Sequence, residues 1–423
     1  MAVDTPAKIA VIGAGPVGLE VALYARYLGY DVDLYEQGRA CESLLSVAHL
    51  QAWEPWVACT SPLGRASLTN QDTRWQPPAD DATLTFGELA ERYFLPLSRC
   101  DLLSDCLQEQ TTVLAVGREG LQRGDFLQDD RRIDVPFRLI VRDAEGAVRA
   151  ENADVVFDCS GISIPGFLGN GGLPAVGELA CRERIHYALP DLLGRHKAEF
   201  VGKRVLVVGE GSAAARIIAD FAKLAIEDAK TQVTWSTRTQ LGESGPVPES
   251  ADDPAPGRAE VARRANQLAL QSGGFLQMLA GSNVEALEHD GELDEFAVQL
   301  WINAVGHEEY DRIIAAVPRR PDVTLWSELQ MLVCPCVEAP LPMADFLRRQ
   351  AGEPSPDAAS RRRALAQAVL NPEPDFYVLG SKSWGRRGDD FLFSAGHEQI
   401  VALFTVIGDR ETLDLYASRF AAQ

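Results

Sequence analysis

Val11-Ile12-Gly13-Ala14-Gly15-Pro16-Val17-Gly18 is the stretch on which the fold turns. It has the spacing GxGxxG and lies between a short apolar run, Lys8 to Ile12, and a helical pattern, Pro16 to Leu28. Each glycine answers a physical need. Gly13 permits a tight turn, Gly15 lets backbone approach a pyrophosphate, and Gly18 lets helix and strand pack closely. The helix opening at Pro16 presents free N–H groups and a positive dipole end to phosphate oxygens. Glu36 follows a second strand-like run, Asp31 to Tyr35, where a carboxylate binds both hydroxyls of an adenosine ribose. The same carboxylate repels a 2′-phosphate, so this site suits FAD or NAD.

The logic recurs at Val207-Val208-Gly209-Glu210-Gly211-Ser212-Ala213-Ala214, which reads GxGxxA between strand Arg204 to Val208 and helix Ser212 to Leu224. Gly209, Gly211, Ser212 and Ala214 are its candidate nucleotide contacts. The next strand, Gln232 to Ser236, leads to no acid but to Thr237-Arg238. An arginine there pairs with a 2′-phosphate and stacks on adenine, which points to NADPH. The plainer alternative for Arg238 is a surface arginine at a strand end.

Between and after these motifs the pattern is mixed. Cys41 to Pro78 is an aromatic and polar excursion carrying Trp53, Trp56 and Trp75. Phe86 to Tyr93 and Asp101 to Gln108 read as helical. Thr111 to Val116, Phe137 to Arg142 and Asp154 to Cys159 read as strands, the last ending in the turn Cys159-Ser160-Gly161. Leu241 to Gly257, rich in proline and glycine, is expected to be an exposed, mobile loop, and Pro354 to Ser360 another exposed connection. Helix is expected over Ala259 to Gln271, strand over Phe296 to Val305 and Phe376 to Leu379, and helix again over Gly396 to Ile407. The expected class is α/β, with two Rossmann-like three-layer dinucleotide-binding domains, the second inserted into the first. The expected divisions are 1–165 (with an excursion over 41–110), 166–330 and 331–423.

The net charge of −21, from 61 acidic and 40 basic residues, argues against a nucleic-acid or anionic-membrane surface. No apolar run reaches the ~18–20 residues that cross a bilayer, and no signal-peptide pattern opens the chain, so a cytoplasmic enzyme is expected. Nothing in the composition opposes a homo-oligomer. Eight cysteines include no CxxC, and the histidines form no pair with metal-ligand spacing, so no metal is expected. The one close thiol pair is Cys334-Pro335-Cys336.

Taken together, the chain resembles FAD proteins with two dinucleotide-binding domains, a group that includes flavin-containing monooxygenases and thioredoxin-reductase-like enzymes. Asp158-Cys159-Ser160-Gly161 is similar to the turn leading out of the group's FAD domain, which places Gly161 near the cofactor. Asn303-Ala304-Val305-Gly306 resembles the turn leaving the nicotinamide domain. Ile185-His186-Tyr187 resembles the monooxygenase approach to the second glycine motif. Phe376-Tyr377-Val378-Leu379-Gly380 resembles the last FAD strand, with Ser381 standing where the group has an aspartate. The following helix, with His397, Glu398 and Gln399, matches one whose N-terminus faces the flavin pyrimidine. The resemblance therefore implies that Gly380, Ser381 and Gln399 contact FAD and that His397 could donate a proton there.

Disulfide reductases need two cysteines a few residues apart beside the flavin; after Glu36 only Cys41 occurs before Cys59. Electrons are then expected to pass from NADPH through FAD to dioxygen and a small-molecule nucleophile, as in a monooxygenase working through a flavin hydroperoxide. Two alternatives stand beside it: a flavin reductase or dehydrogenase without oxygen insertion, and a redox-sensing FAD-binding protein. Trp53 and Trp56 either cover the ring or pack the excursion onto its domain.

Overall fold

Lys8-Ile9-Ala10-Val11-Ile12 is apolar at four successive positions because a strand in the middle of a three-layer domain is covered on both faces. Ile9 and Val11 face a helical layer with Leu19, Leu23 and Phe404. Ala10 and Ile12 face the other way, toward Val113, Phe137 and Leu139 of a second sheet. The computed structural model describes residues 3–127, 129–249, 253–271, 273–301, 305–353 and 357–417.

The chain forms two compact units, residues 1–164 with 319–423, and residues 165–318. In chain order the first begins with β1 (Lys8–Ile12), α1 (Pro16–Tyr27) and β2 (Asp31–Tyr35), and adds β3 (Val155–Asp158). The second holds β4 (Arg204–Val208), α2 (Ser212–Glu227), β5 (Gln232–Thr237) and β6 (Arg312–Ala315). The first unit is then completed by β7 (Phe376–Val378) and α3 (Phe393–Ile407).

The principal sheet of the first unit is parallel, in the order β7, β3, β1, β2, Leu107–Gln108. From β1 the chain moves to β2 on one side and to β3 on the other. The carboxyl ends of β1 and β3 therefore flank a topological switch point, where open α/β sheets bind ligands. An antiparallel sheet, Thr112–Arg118 with Phe137–Arg142 and Val148–Ala153, covers one face. The second unit repeats this plan. Its parallel sheet runs Leu276–Ala280, β5, β4, β6. Val205 and Val207 face Ile217, Phe221 and Ala265 of the helical layer, whereas Leu206 and Val208 face Val284, Phe296 and Val298 of an antiparallel sheet.

Four expectations need correction or qualification. Asp101 to Gln108 is a series of turns ending in an edge strand, because Leu34 N–H bonds the Cys106 carbonyl and draws the segment onto β2. The loop after Leu241, exposed as expected over most of its described residues, is anchored at one buried point: Asn266 accepts from Val247 N–H and donates to Val247 O, both at 2.9 Å. Ser250 to Asp252 of this loop lie outside the described residues. The helix expected from Ala259 starts at Pro256, and that expected from Gly396 starts at Phe393. A further helix, Pro62–Gln71, has its signal in Ser61-Pro62, a serine cap followed by proline in the first turn. Asn303 and Ala304 of the proposed exit turn, and Pro354 to Pro356 of the proposed connection, lie outside the described residues.

Candidate functional site

At the carboxyl end of β1 the glycine turn is fixed by packing. Gly13 has φ +97, and a Cβ there would meet the Cys159 carbonyl at 2.9 Å. A Cβ at Gly18 would lie 1.8 Å from the Gly13 carbonyl oxygen, so helix and strand close on each other only without a side chain. Gly15 differs: its nearest neighbour in the Cβ direction is Ser43 Oγ at 3.8 Å. No side chain caps α1, and Pro16 occupies its first turn, so the helix offers uncapped backbone N–H groups beside the open glycine.

Glu36 folds over the lip of this turn. Its Oε2 accepts from Ala14 N–H at 2.8 Å and its Oε1 from Gly38 N–H at 2.9 Å. Beyond it lies a cavity of about 510 Å³ lined by Gln37, Gly38, Arg39, Glu42, Gln110 and Thr112. A nucleoside held at Glu36 has room there. On the other side of β1 the sheet continues with the carboxyl ends of β3 and then β7.

Those ends are tied together by side chains. Gly161 (φ +73) has Ser381 Oγ 3.6 Å from its Cβ direction, and Gly380 (φ +70) packs on Val17. Gln399, 1% exposed, accepts from Gly380 N–H at 2.8 Å and donates to Ser383 Oγ at 2.8 Å, so it shapes the turn after β7. Asp158 is fully buried and accepts from Lys382 Nζ at 2.6 Å, Trp326 Nε1 at 2.8 Å and Ser160 Oγ at 2.6 Å. Lys382, also fully buried, reaches Ser160 Oγ at 2.8 Å. Sequence reasoning missed this buried pair. Its available signal was a lysine directly after Gly380-Ser381.

The amino end of α3 already has a carboxylate on it. Glu54, 4% exposed, accepts from Phe393 N–H at 2.6 Å and also receives Ser394 N–H and Oγ–H. The helix dipole there is thus opposed by a negative charge. His397 lies further along α3, 17% exposed, with Nε2 3.9 Å from Glu20 Oε1 and its ring edge-on to Tyr416 at 5.5 Å. Burial, more than the opposing attraction of Glu20, pushes its pKa below the ordinary histidine value. The structure groups His397 with Glu20, Tyr93 and Tyr416, and among the described residues no side-chain hydrogen bond joins these four to Gly13, Gly15 or Gly18. Trp56 is fully buried, against Tyr93 at 5.7 Å and Trp75 at 6.3 Å, and is core.

The thiols offer little. Cys41, Cys59, Cys100, Cys106, Cys159 and Cys181 are buried and free; Cys334 is half-buried and Cys336 exposed. Burial raises the pKa of Cys41, Cys59 and Cys159, with Glu36, Glu54 and Asp158 adding to it respectively, which suppresses thiolate.

In the second unit Gly209 N–H bonds Ser236 O at 3.1 Å, as Gly13 N–H bonds Tyr35 O at 2.7 Å. A Cβ at Gly209 would lie 2.0 Å from Ala316 O, while Gly211 has nothing within 4 Å. Ser212 opens α2, again without a side-chain cap, and Ala214 is buried against the sheet. Arg238 is 76% exposed on its side chain and pairs with Glu210, Nη2 to Oε1 at 2.7 Å. Glu210 was not singled out by sequence reasoning.

No protein-family model matches the chain, and no curated protein matches it. Solved structures do. Bacillithiol disulfide reductase Bdr from Bacillus cereus aligns with TM-score 0.65 at 14% identity, over 96% of this chain and 99% of that one. DfoA from Erwinia amylovora, a desferrioxamine-pathway cadaverine monooxygenase solved with FAD, gives 0.60 at 16% identity, over 96% of both chains. Thioredoxin reductase from T. acidophilum gives 0.53 at 14%, over 94% of this chain and 97% of that one. At such identities the likeness is one of fold, and it spans reductases and a monooxygenase alike. Among the described residues no helix is long and apolar enough to cross a membrane.

Proposed function

We propose that this chain is an FAD-dependent oxidoreductase reduced by a nicotinamide dinucleotide, NADPH being the form Arg238 serves. The observation that carries the reading is the duplicated cradle. In each unit a middle glycine, Gly15 or Gly211, opens beside an uncapped helix terminus at the carboxyl end of a parallel sheet. Gly13, Gly15, Pro16 and Gly18 would seat the FAD pyrophosphate, and Glu36 its adenosine ribose. Gly161, Gly380 and Ser381 would line the rest, with Gln399 holding the Gly380 turn. Gly209, Gly211, Ser212 and Ala214 would seat the nicotinamide dinucleotide. A bound flavin supplies hydride acceptance and onward electron transfer.

Near the first glycine turn, Cys41 and Cys159 are buried and their thiolates are suppressed, which opposes a dithiol relay there. A small acceptor is therefore favoured: dioxygen with a soft nucleophile as in a monooxygenase, or an acceptor reduced without oxygen insertion. His397, whose imidazole faces Glu20 and Tyr416, lends the oxygenase reading no support of its own. Oxygen uptake measured against peroxide release separates the two. A monooxygenase lowers its peroxide yield when its substrate is added.

The test of the cofactor is direct. The protein should purify yellow and release FAD, not FMN, on denaturation. Gly15→Val should fold, since nothing packs within 3.8 Å of its Cβ direction, yet lose the colour. Full FAD occupancy in that variant would falsify the assignment.

A further inference from the structure

The two units can be compared residue by residue through their strand registers. Ile12 pairs with Tyr35 and Val208 with Ser236, and each strand is followed by the first glycine of its turn. Thr237 is therefore the counterpart of Glu36, Arg238 of Gln37, Thr239 of Gly38, and Glu210 of Ala14. Thr237 is 1% exposed and donates to Thr239 O at 3.1 Å, so the strand end offers no carboxylate.

A carboxylate nevertheless stands there. Glu210 crosses the gap from the glycine turn, and its Oε2 accepts from Thr239 N–H at 2.9 Å. In the first unit Glu36 crosses the same gap in the opposite direction, accepting from Ala14 N–H at 2.8 Å, and it also accepts from Gly38 N–H on its own wall at 2.9 Å. Equivalent backbone amides thus hold a carboxylate in both sites, supplied from opposite walls. The difference is Arg238, whose Nη2 and Nε lie 2.7 and 3.2 Å from Glu210 Oε1.

We propose that Glu210 is the specificity-determining residue of the second nucleotide site, acting as counter-ion to Arg238. It limits the site's preference for a dinucleotide carrying a 2′-phosphate. The proposal rests on the nicotinamide reading above. A 2′-phosphate must take Arg238 from Glu210 and then sit beside that carboxylate, two costs that a ribose with free hydroxyls does not meet. Burial tends to raise the Glu210 pKa, but the bonds from Arg238 and Thr239 outweigh it and hold the group ionised at neutral pH. Arg238 alone would favour the phosphate much more strongly than the pair does.

The experiment is equilibrium titration of the full-length protein with NADP⁺, NAD⁺, 2′,5′-ADP and 5′-AMP. Glu210→Gln keeps a hydrogen-bonding side chain and removes the charge. The ratio of NADP⁺ to NAD⁺ affinity should rise on the order of tenfold, as should that of 2′,5′-ADP to 5′-AMP. Glu210→Ala, which the first site tolerates as Ala14, should move both ratios the same way and guards against a failure peculiar to glutamine. In an Arg238→Ala background the Glu210→Gln effect should shrink, because the cost of releasing the arginine is gone and only the repulsion between carboxylate and phosphate is left to remove. Unchanged ratios in both Glu210 variants, with binding intact, overturn the proposal alone. Failure of the parent protein to bind any of the four probes overturns the nicotinamide reading and this proposal with it.

Discussion

At His397 the decisive quantity is the cost of charging an imidazole away from water. It faces the Tyr416 ring, the Glu20 carboxylate, to which the Tyr93 and Tyr416 hydroxyls donate, and, at longer range, the Arg65 guanidinium. Burial lowers its folded pKa below the unfolded value, so between the two the unfolded chain binds more protons. The resulting stability is present above the unfolded pKa and is lost as pH falls through the folded one. His397→Gln should therefore lose less of its urea midpoint than the parent between about pH 7.5 and about pH 5. Equal losses would mean that the imidazole takes up its proton without penalty. The residue was visible in the sequence as a histidine on the last helix. Its direction was not, because the side chains that surround it come from α1, the excursion and the far C-terminus.

Elements show the same division between local and distant signals. β1, α1, β2 and β4 are legible because each combines an apolar run with a glycine turn at a fixed offset, a pattern complete within a few residues. The cap on α3 is not legible, since Glu54 and Phe393 are 339 positions apart and no local pattern links them. Nor is the ion cluster that ties the antiparallel sheet of the first unit to the approach to β7. Glu373 accepts from Arg118 Nε and Arg132 Nη2, each at 2.8 Å, with all three side chains fully buried. It also accepts from Gln330 N–H at 2.8 Å. Burial alone would drive the Arg118 guanidinium pKa down, and Glu373 opposes this. Glu373→Gln would strand two buried cations and should cost about 3–5 kcal/mol of unfolding free energy by urea titration. A loss under about 1 kcal/mol would show that the guanidiniums find solvent or carbonyl partners unaided. Four such carbonyls are already engaged, because Arg118 also donates to Val135 O and Pro374 O, and Arg132 to Gln122 O and Asp125 O.

For the whole molecule the informative feature is where the chain leaves the first unit and returns. Two glycine motifs imply two nucleotide folds, but only the missing last strand of the first fold implies nesting. That strand, β7, pairs with β3 through Phe376 to Val156, across more than half the chain. The exit and return are adjacent: Ile162–Pro165 and Arg319–Pro321 form a two-stranded ladder at the edge of the first unit. Arg319 N–H also bonds the Asp389 carboxylate at 3.1 Å, fixing the return strand within that unit. A segment whose ends are held side by side can be removed at small entropic cost, because a short linker closes the gap. Replacing residues 166–318 by a few glycines and serines should leave the first unit folded, since its parallel sheet and both covering layers lie outside the deleted stretch. If FAD is bound as proposed, by residues of the first unit alone, the shortened protein should remain yellow and be bleached by dithionite. NADPH should no longer bleach it, for Gly209, Gly211 and Arg238 are gone. A folded but colourless product would show that the second unit supplies part of the FAD site, and an unfolded one that the ladder does not suffice to close the first unit.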